Sequence, residues 1–152
     1  METSARRRFI SALAGLAAGA LLPARAARAQ PDPFAPLVRK ITDGAPLRAG
    51  RVTVDTPLLA DNGHSVPLKV SVASPMTEAD HVRSLTLLSE KNPRPVMATF
   101  HLGPKAGRAE VVTRVRLNGS QRLLAVAQLS DGSFWSGSAE VVVTEAACLD
   151  GS

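Results

Sequence analysis

From Arg51 to Thr144 apolar residues fall at every second position, in short runs separated by glycine, proline or Asn/Asp-Gly dipeptides. Val66, Leu68, Val70 and Val72 alternate with Ser65, Pro67, Lys69 and Ser71. Val111, Thr113, Val115 and Leu117 alternate with Glu110, Val112, Arg114 and Arg116. Leu123, Ala125, Ala127 and Leu129 make a third such face. A period of two places these residues on one side of a β-strand and excludes a helix over the same span. Arg51–Val54, Val82–Leu88, Met97–Leu102 and a last region made of Phe134-Trp135 and Ala139–Thr144 bring the count to about seven short strands. Asn118-Gly119 before the Leu123 strand and Asp131-Gly132 after it read as hairpin turns, because such turns need positive φ. Seven strands in about 100 residues predict an all-β, immunoglobulin-like antiparallel β-sandwich. One helix is expected ahead of it in Pro33–Ile41, where Phe34, Leu37, Val38 and Ile41 recur at helical spacing and Gly44 can end it.

The first 29 residues read as an address rather than as fold. Arg6-Arg7-Arg8-Phe9-Ile10 is a basic, twin-arginine start; an apolar run follows from Ala12 to Leu22, and Ala27-Arg28-Ala29 offers a cleavage site before Gln30. The apolar run is too short to cross a bilayer, which needs about 20 residues, so no membrane anchor is expected. The division is therefore a twin-arginine signal at 1–29, a sandwich at 30–144 and a C-terminal arm at 145–152. It predicts export to the periplasm by the twin-arginine route. The chain has a net charge of +5, from 18 basic and 13 acidic residues. The signal holds five arginines and one acid (Glu2), which leaves 13 basic against 12 acidic residues, a net of +1. The sandwich then has no bulk charge for binding nucleic acid or an anionic membrane.

Cys148 is the only cysteine and sits five residues from the C-terminal end, in Glu145-Ala146-Ala147-Cys148-Leu149-Asp150-Gly151-Ser152. An odd thiol in an exported chain implies either an intermolecular disulfide or a thiol kept for chemistry. Glu145, Asp150 and the terminal carboxylate disfavour the thiolate, so a self-activating nucleophile is not expected. A thiol activated by another protein fits better. From Thr144 the arm reaches roughly 13–14 Å to Cys148, at about 3.3–3.6 Å per residue. Ala146, Ala147 and Gly151 keep that arm thin.

Other constellations carry less. His64, His81 and His101 lack metal-ligand spacing, and no metal is expected. Glu78 and Asp80 read as turn chemistry. Gly103-Pro104-Lys105-Ala106-Gly107-Arg108 reads as a solvated basic connector with two positive-φ glycines. Phe134 and Trp135 must point to opposite faces, so one can fill the core while the other faces outward as a partner-interface anchor.

Taken together, six segments and the tail resemble one family. They are Ala60-Asp61-Asn62-Gly63-His64-Ser65-Val66-Pro67, Ser74-Pro75-Met76-Thr77-Glu78-Ala79-Asp80, Glu90-Lys91-Asn92-Pro93, Phe100-His101-Leu102-Gly103-Pro104, Ala106-Gly107-Arg108-Ala109 and Asp131-Gly132-Ser133-Phe134-Trp135. With the twin-arginine start and the terminal cysteine, the chain resembles the SoxY family, sulfur-carrier subunits of the periplasmic thiosulfate-oxidising (Sox) system. The resemblance implies a carrier with no cofactor and no turnover of its own, which holds its sulfur substrate covalently on Cys148. It also implies a heterodimer with a second sandwich, a SoxZ-like subunit. The enzymes acting on the arm would be a haem protein, a hydrolase and, in some systems, a molybdenum–haem enzyme. The family's best-known tail is Gly-Gly-Cys-Gly-Gly; here Ala146-Ala147 and Leu149-Asp150 flank the cysteine. Two other classes remain open at this point: a periplasmic binding module whose cysteine only forms an intermolecular disulfide, and a metal-delivery module using the histidines with Cys148.

Overall fold

The computed structural model describes residues 31–145; the signal segment 1–29 and the arm residues from Ala146 to Ser152, Cys148 included, lie outside them. The described elements are one helix, α1 (Ala35–Thr42), and nine strands: β1 (Leu47–Ala49), β2 (Val52–Asp55), β3 (Leu59–Ala60), β4 (Val66–Val72), β5 (Val82–Ser89), β6 (Val96–His101), β7 (Glu110–Val115), β8 (Gln121–Leu129) and β9 (Phe134–Val143). A 3₁₀ turn, Pro104–Ala106, joins β6 to β7.

They form two facing sheets, as the alternation requires. The large sheet runs β1-β9-β8-β5-β6, with β3 also on β9, and the small one runs β2-β4-β7. In β4, Val66, Leu68, Val70 and Val72 are buried between the sheets and Pro67 and Lys69 face water. From the large sheet, Leu85, Leu87, Leu123, Ala125, Ala127, Leu129, Val141 and Val143 enter the same core. Burying each large apolar side chain there contributes about 1.5–3 kcal/mol.

Strands β5 and β8 bury residues on both faces, six of eight in β5 and six of nine in β8. Their second face is covered by α1, where Phe34, Leu37, Val38 and Ile41 pack on Leu88, Leu124, Val126 and Phe134. The helix ends as expected: Asp43 (φ 51°) and Gly44 (φ 78°) both enter the left-handed region, and the Gly44 N–H returns to the Arg39 carbonyl.

Five expectations change. Nine strands replace seven, because β1 and β3 occupy the edge of β9. They are three and two residues long, so no alternation betrays them, and they pair in parallel with β9 rather than antiparallel. The last region is one continuous strand across Ser136-Gly137-Ser138, since β8 pairs with it throughout. Asn118-Gly119 does not close a hairpin. It carries the chain from β7 in the small sheet to β8 in the large one, with Gly119 at φ 79°. Asp131-Gly132 does close the β8–β9 hairpin, with Gly132 at φ 82°. In the basic connector only Gly107 is at positive φ (74°), while Gly103 is extended (φ −155°) because it precedes the 3₁₀ turn.

Candidate functional site

The arm that carries Cys148 leaves the described structure at Glu145, directly beyond β9. The end of that strand is held from both sides. The Val143 N–H donates to Ser120 Oγ (2.9 Å), whose hydroxyl returns to the Val143 carbonyl (3.3 Å). The Thr144 N–H donates to the Ala60 carbonyl (3.1 Å), its hydroxyl donates to the Asp61 carbonyl, and the Glu145 carbonyl accepts from Gly63 N–H (2.7 Å). The Gly63 carbonyl in turn accepts from Leu117 N–H (2.8 Å). Two loops, one before β4 and one before β8, thus clamp the root of the arm.

A polar node fixes those loops to a third. Asn92 Oδ1 accepts from Asn118 N–H (2.9 Å) and Gln121 Nε2 (3.0 Å), and Asn92 Nδ2 donates to the Arg116 carbonyl (2.8 Å). Gln121 Oε1 accepts from Lys91 N–H (2.9 Å), and Gln121 is only 5% exposed. A buried amide tolerates no missing partner, so this node sets the loop geometry tightly. Two of the segments that carried the family resemblance, Ala60–Pro67 through its loop at Asp61–Ser65 and Glu90–Pro93, therefore lie together at the arm end. Gln121 went unmarked in the sequence; a polar residue at the head of an apolar strand was the available signal.

At the opposite end of β9 lie two other segments. Asp131 Oδ1 accepts from Ser133 N–H (2.8 Å) and Ser133 Oγ (2.6 Å). Those hydrogen bonds, with smaller contributions from the Arg48 and Arg51 charges, hold its carboxyl below the ordinary aspartate range. Thr77 and Asp80 close the other turn, where the Asp80 N–H donates to Thr77 Oγ1 (3.1 Å) and Thr77 N–H to the Asp80 carbonyl (2.9 Å). Glu78 and Asp80 do lie in a turn, but the side chain that closes it is Thr77's, and Asp80 contributes its backbone.

Phe134 and Trp135 do point to opposite faces, and both faces are covered. Phe134 is buried under α1. Trp135 packs on the inter-sheet core, donates from Nε1 to Ser133 Oγ (3.0 Å) and lies under the guanidinium groups of Arg48 and Arg51, at 5.6 and 5.1 Å from the ring centre. Neither stands free as an exposed anchor. Exposed apolar side chains occur elsewhere: Leu58 (72%), Leu59 (59%) and Val142 (47%) sit where β3 pairs with β9, next to the arm root. Of the histidines, His64 is at the arm end, while His81 just precedes β5 and His101 ends β6 at the other. Among the described residues no three of His, Cys, Asp and Glu are grouped to hold a metal.

The sequence model of "Sulfur oxidation protein SoxY" matches residues 38–148 and so ends on the lone cysteine. The chain belongs to the SoxY family. Among solved structures it is similar to the sulfur carrier protein SoxY of Chlorobium limicola f thiosulfatophilum, with 24% identity and a TM-score of 0.61, covering 73% of this chain and 96% of that one. It is also similar to a superoxide reductase (neelaredoxin) of Ignicoccus hospitalis, with 19% identity, a TM-score of 0.56 and 62% and 80% coverage. A superoxide reductase from Nanoarchaeum equitans gives 13% identity, a TM-score of 0.52 and 63% and 100% coverage. No curated protein matches this chain. The sandwich is thus shared between SoxY and reductases, and the fold does not choose between them. The family match chooses SoxY and places the chain among proteins of sulfur oxidation.

Proposed function

We propose that the chain is a periplasmic carrier that holds sulfur intermediates on Cys148 and is itself acted on by partner enzymes. The observation that carries this reading is the family match running through to the only cysteine of the chain, a few residues past a strand end that is firmly tied to two loops. A carrier needs that combination: a thiol on a thin arm and a fixed point from which the arm is presented. Glu145 and Asp150 flank the thiol in sequence, and acidic neighbours disfavour a thiolate in general, which suits a group that waits for a partner. The exposed Leu58, Leu59 and Val142 give the chain apolar surface for a SoxZ-like subunit.

The chemistry balances without a cofactor in this chain. Loading joins the thiol to the sulfane sulfur of thiosulfate, giving RS–S–SO₃⁻ and releasing one proton and two electrons, which a haem protein accepts. In the next step a hydrolase brings water to the sulfone sulfur. A new S–O bond forms, the S–S bond breaks with its electron pair left on the sulfane, and sulfate leaves with two protons. The remaining sulfane is oxidised by a molybdenum–haem enzyme where the system has one.

The reading is tested in cells that lack the chromosomal copy. The wild-type chain should restore sulfate formation from thiosulfate and fractionate with the periplasm, whereas Arg7→Lys/Arg8→Lys should remain in the cytoplasm and Cys148→Ser should restore nothing. Full restoration by Cys148→Ser would end the carrier reading. A stable Cys148-linked dimer as the only active form would favour the disulfide-linked binding module.

A further inference from the structure

The sandwich is closed along one side and open along the other. At the open side β6 pairs only with β5, and β7 only with β4, so each carries one unpaired edge. Between these edges lies a cleft of about 310 Å³. Its floor is apolar, made by Leu87, Met97, Phe100 and Val115, and its rim carries Arg94, Arg114 and Arg116. No carboxylate lines it. Arg114 donates to Ser65 at 3.3–3.4 Å, and among the described residues none of the three arginines is in an ion pair.

The cleft is also tied to the arm. Arg116 precedes Leu117, whose N–H reaches the Gly63 carbonyl, and Gly63 N–H reaches Glu145, the last described residue of the arm root. Asn92 lines the same cleft and holds the Arg116 carbonyl. Whatever occupies the cleft sits near the root of the arm, and Cys148 is three residues beyond Glu145, a span of at most about 10–11 Å at 3.3–3.6 Å per residue.

We infer that this cleft is the docking site for an acidic, amphipathic segment of the enzymes that act on Cys148. Three features choose that occupant over a free anion. A bare oxyanion would lie against Leu87 and Phe100 without a partner for its charge on that side. An extended segment instead sets apolar side chains on the floor, carboxylates against the rim arginines and its backbone along an unpaired strand edge, as strand addition does. Unpaired arginines at an exposed rim steer encounter and set the on-rate more than they set the final affinity. That suits a carrier that must bind and release several enzymes. The inference rests on the carrier reading above.

The test uses the full mature chain in its complex with the SoxZ-like subunit. Cys148 is loaded with tetrathionate, whose central S–S bond the thiolate breaks to give RS–S–SO₃⁻ and free thiosulfate. Sulfate release by the hydrolase of the same Sox system is then followed at low and at physiological ionic strength. Arg94→Glu/Arg116→Glu should lower kcat/KM at least tenfold at low salt, leave kcat at saturation unchanged and flatten the salt dependence. Arg94→Lys/Arg116→Lys should keep most of the rate, and near-ultraviolet circular dichroism of both should match wild type. Equal kcat/KM for the charge-reversed and wild-type complexes would overturn the docking site while leaving the carrier reading intact. If the charge-reversed chain instead parts from its SoxZ-like subunit on gel filtration, the cleft is the subunit interface and the inference is wrong. If the loaded wild-type chain releases no sulfate, the carrier reading fails and the docking site falls with it.

Discussion

The two long sides of the sandwich are built in opposite ways. On one side β9 is paired along its edge by β1 and then β3, and β2 of the other sheet crosses it so closely that a Cβ on Gly137 would stand 2.1 Å from the Val52 carbonyl oxygen. On the other side β6 and β7 face each other across a basic cleft with both edges unpaired. Unpaired edges invite unwanted pairing, and proteins commonly cover or charge them. Here the closed side is covered and ends in the clamped root of the arm, and the open side is charged. The contrast is between a side that fixes the arm root and carries exposed apolar surface, and a side whose charged cleft suits transient docking.

The sharpest way to break the closed side is Gly137→Ala. The added carbon would meet backbone rather than a movable side chain, so the two sheets must part; a loss of about 3 kcal/mol or more is expected in urea unfolding. A variant of wild-type stability would mean that β2 and β9 are not in contact. Phe34→Ala should follow closely, at about 3 kcal/mol, since it empties the apolar layer between α1 and the large sheet. Loss of far-ultraviolet helix signal ahead of the sheet signal would show that α1 is held by that layer alone. On the open side the expected stability effect is small. Arg94→Glu/Arg116→Glu should change the unfolding free energy by less than about 0.5 kcal/mol, because exposed residues without ion pairs hold little of the fold together. A larger loss would show that the cleft is part of the core structure and would erase the contrast.

The smallest effect is expected at the Asp131 turn, the far end of the closed side. Its carboxyl has a lowered native pKa, set first by Ser133. A lowered acid pKa stabilises above the unfolded value of about 3.9 and loses that contribution as pH falls through the native value. Asp131→Asn should therefore lower Tm slightly at neutral pH and not at all in strong acid. The carboxylate is fully exposed, so the difference will be slight; one that grew as the pH dropped would contradict the assignment of Ser133 as its partner.

The sequence was legible where side chains alternate between a core and water. In β4 and β7 one face is wet, and the strand bounds follow the alternation to within two residues. The same logic located α1, whose Leu37, Val38 and Ile41 pack together with Phe34 at its N-cap. It was silent where pairing depends on a partner's edge rather than on the strand's own pattern, as in β1 and β3. It also misjudged Asn118-Gly119. A positive-φ glycine requires a turn there, but nothing local says whether the next strand joins the same sheet. The candidate site was legible only in its chemistry. Cys148 stood out because it is the only thiol, whereas the clamp at Thr144 and Glu145, the Asn92–Gln121 node and the arginine cleft need three loops brought together from positions some 25 to 85 residues apart in the chain.

The proposed carrier role places its cargo on one sulfur atom, and intact-mass measurement on the chain purified from thiosulfate-grown cells examines it directly. The wild-type chain should carry a sulfur adduct that a reductant removes, and Cys148→Ser purified in the same way should carry none. A wild-type chain without an adduct, or an adduct that persists in Cys148→Ser, would contradict it.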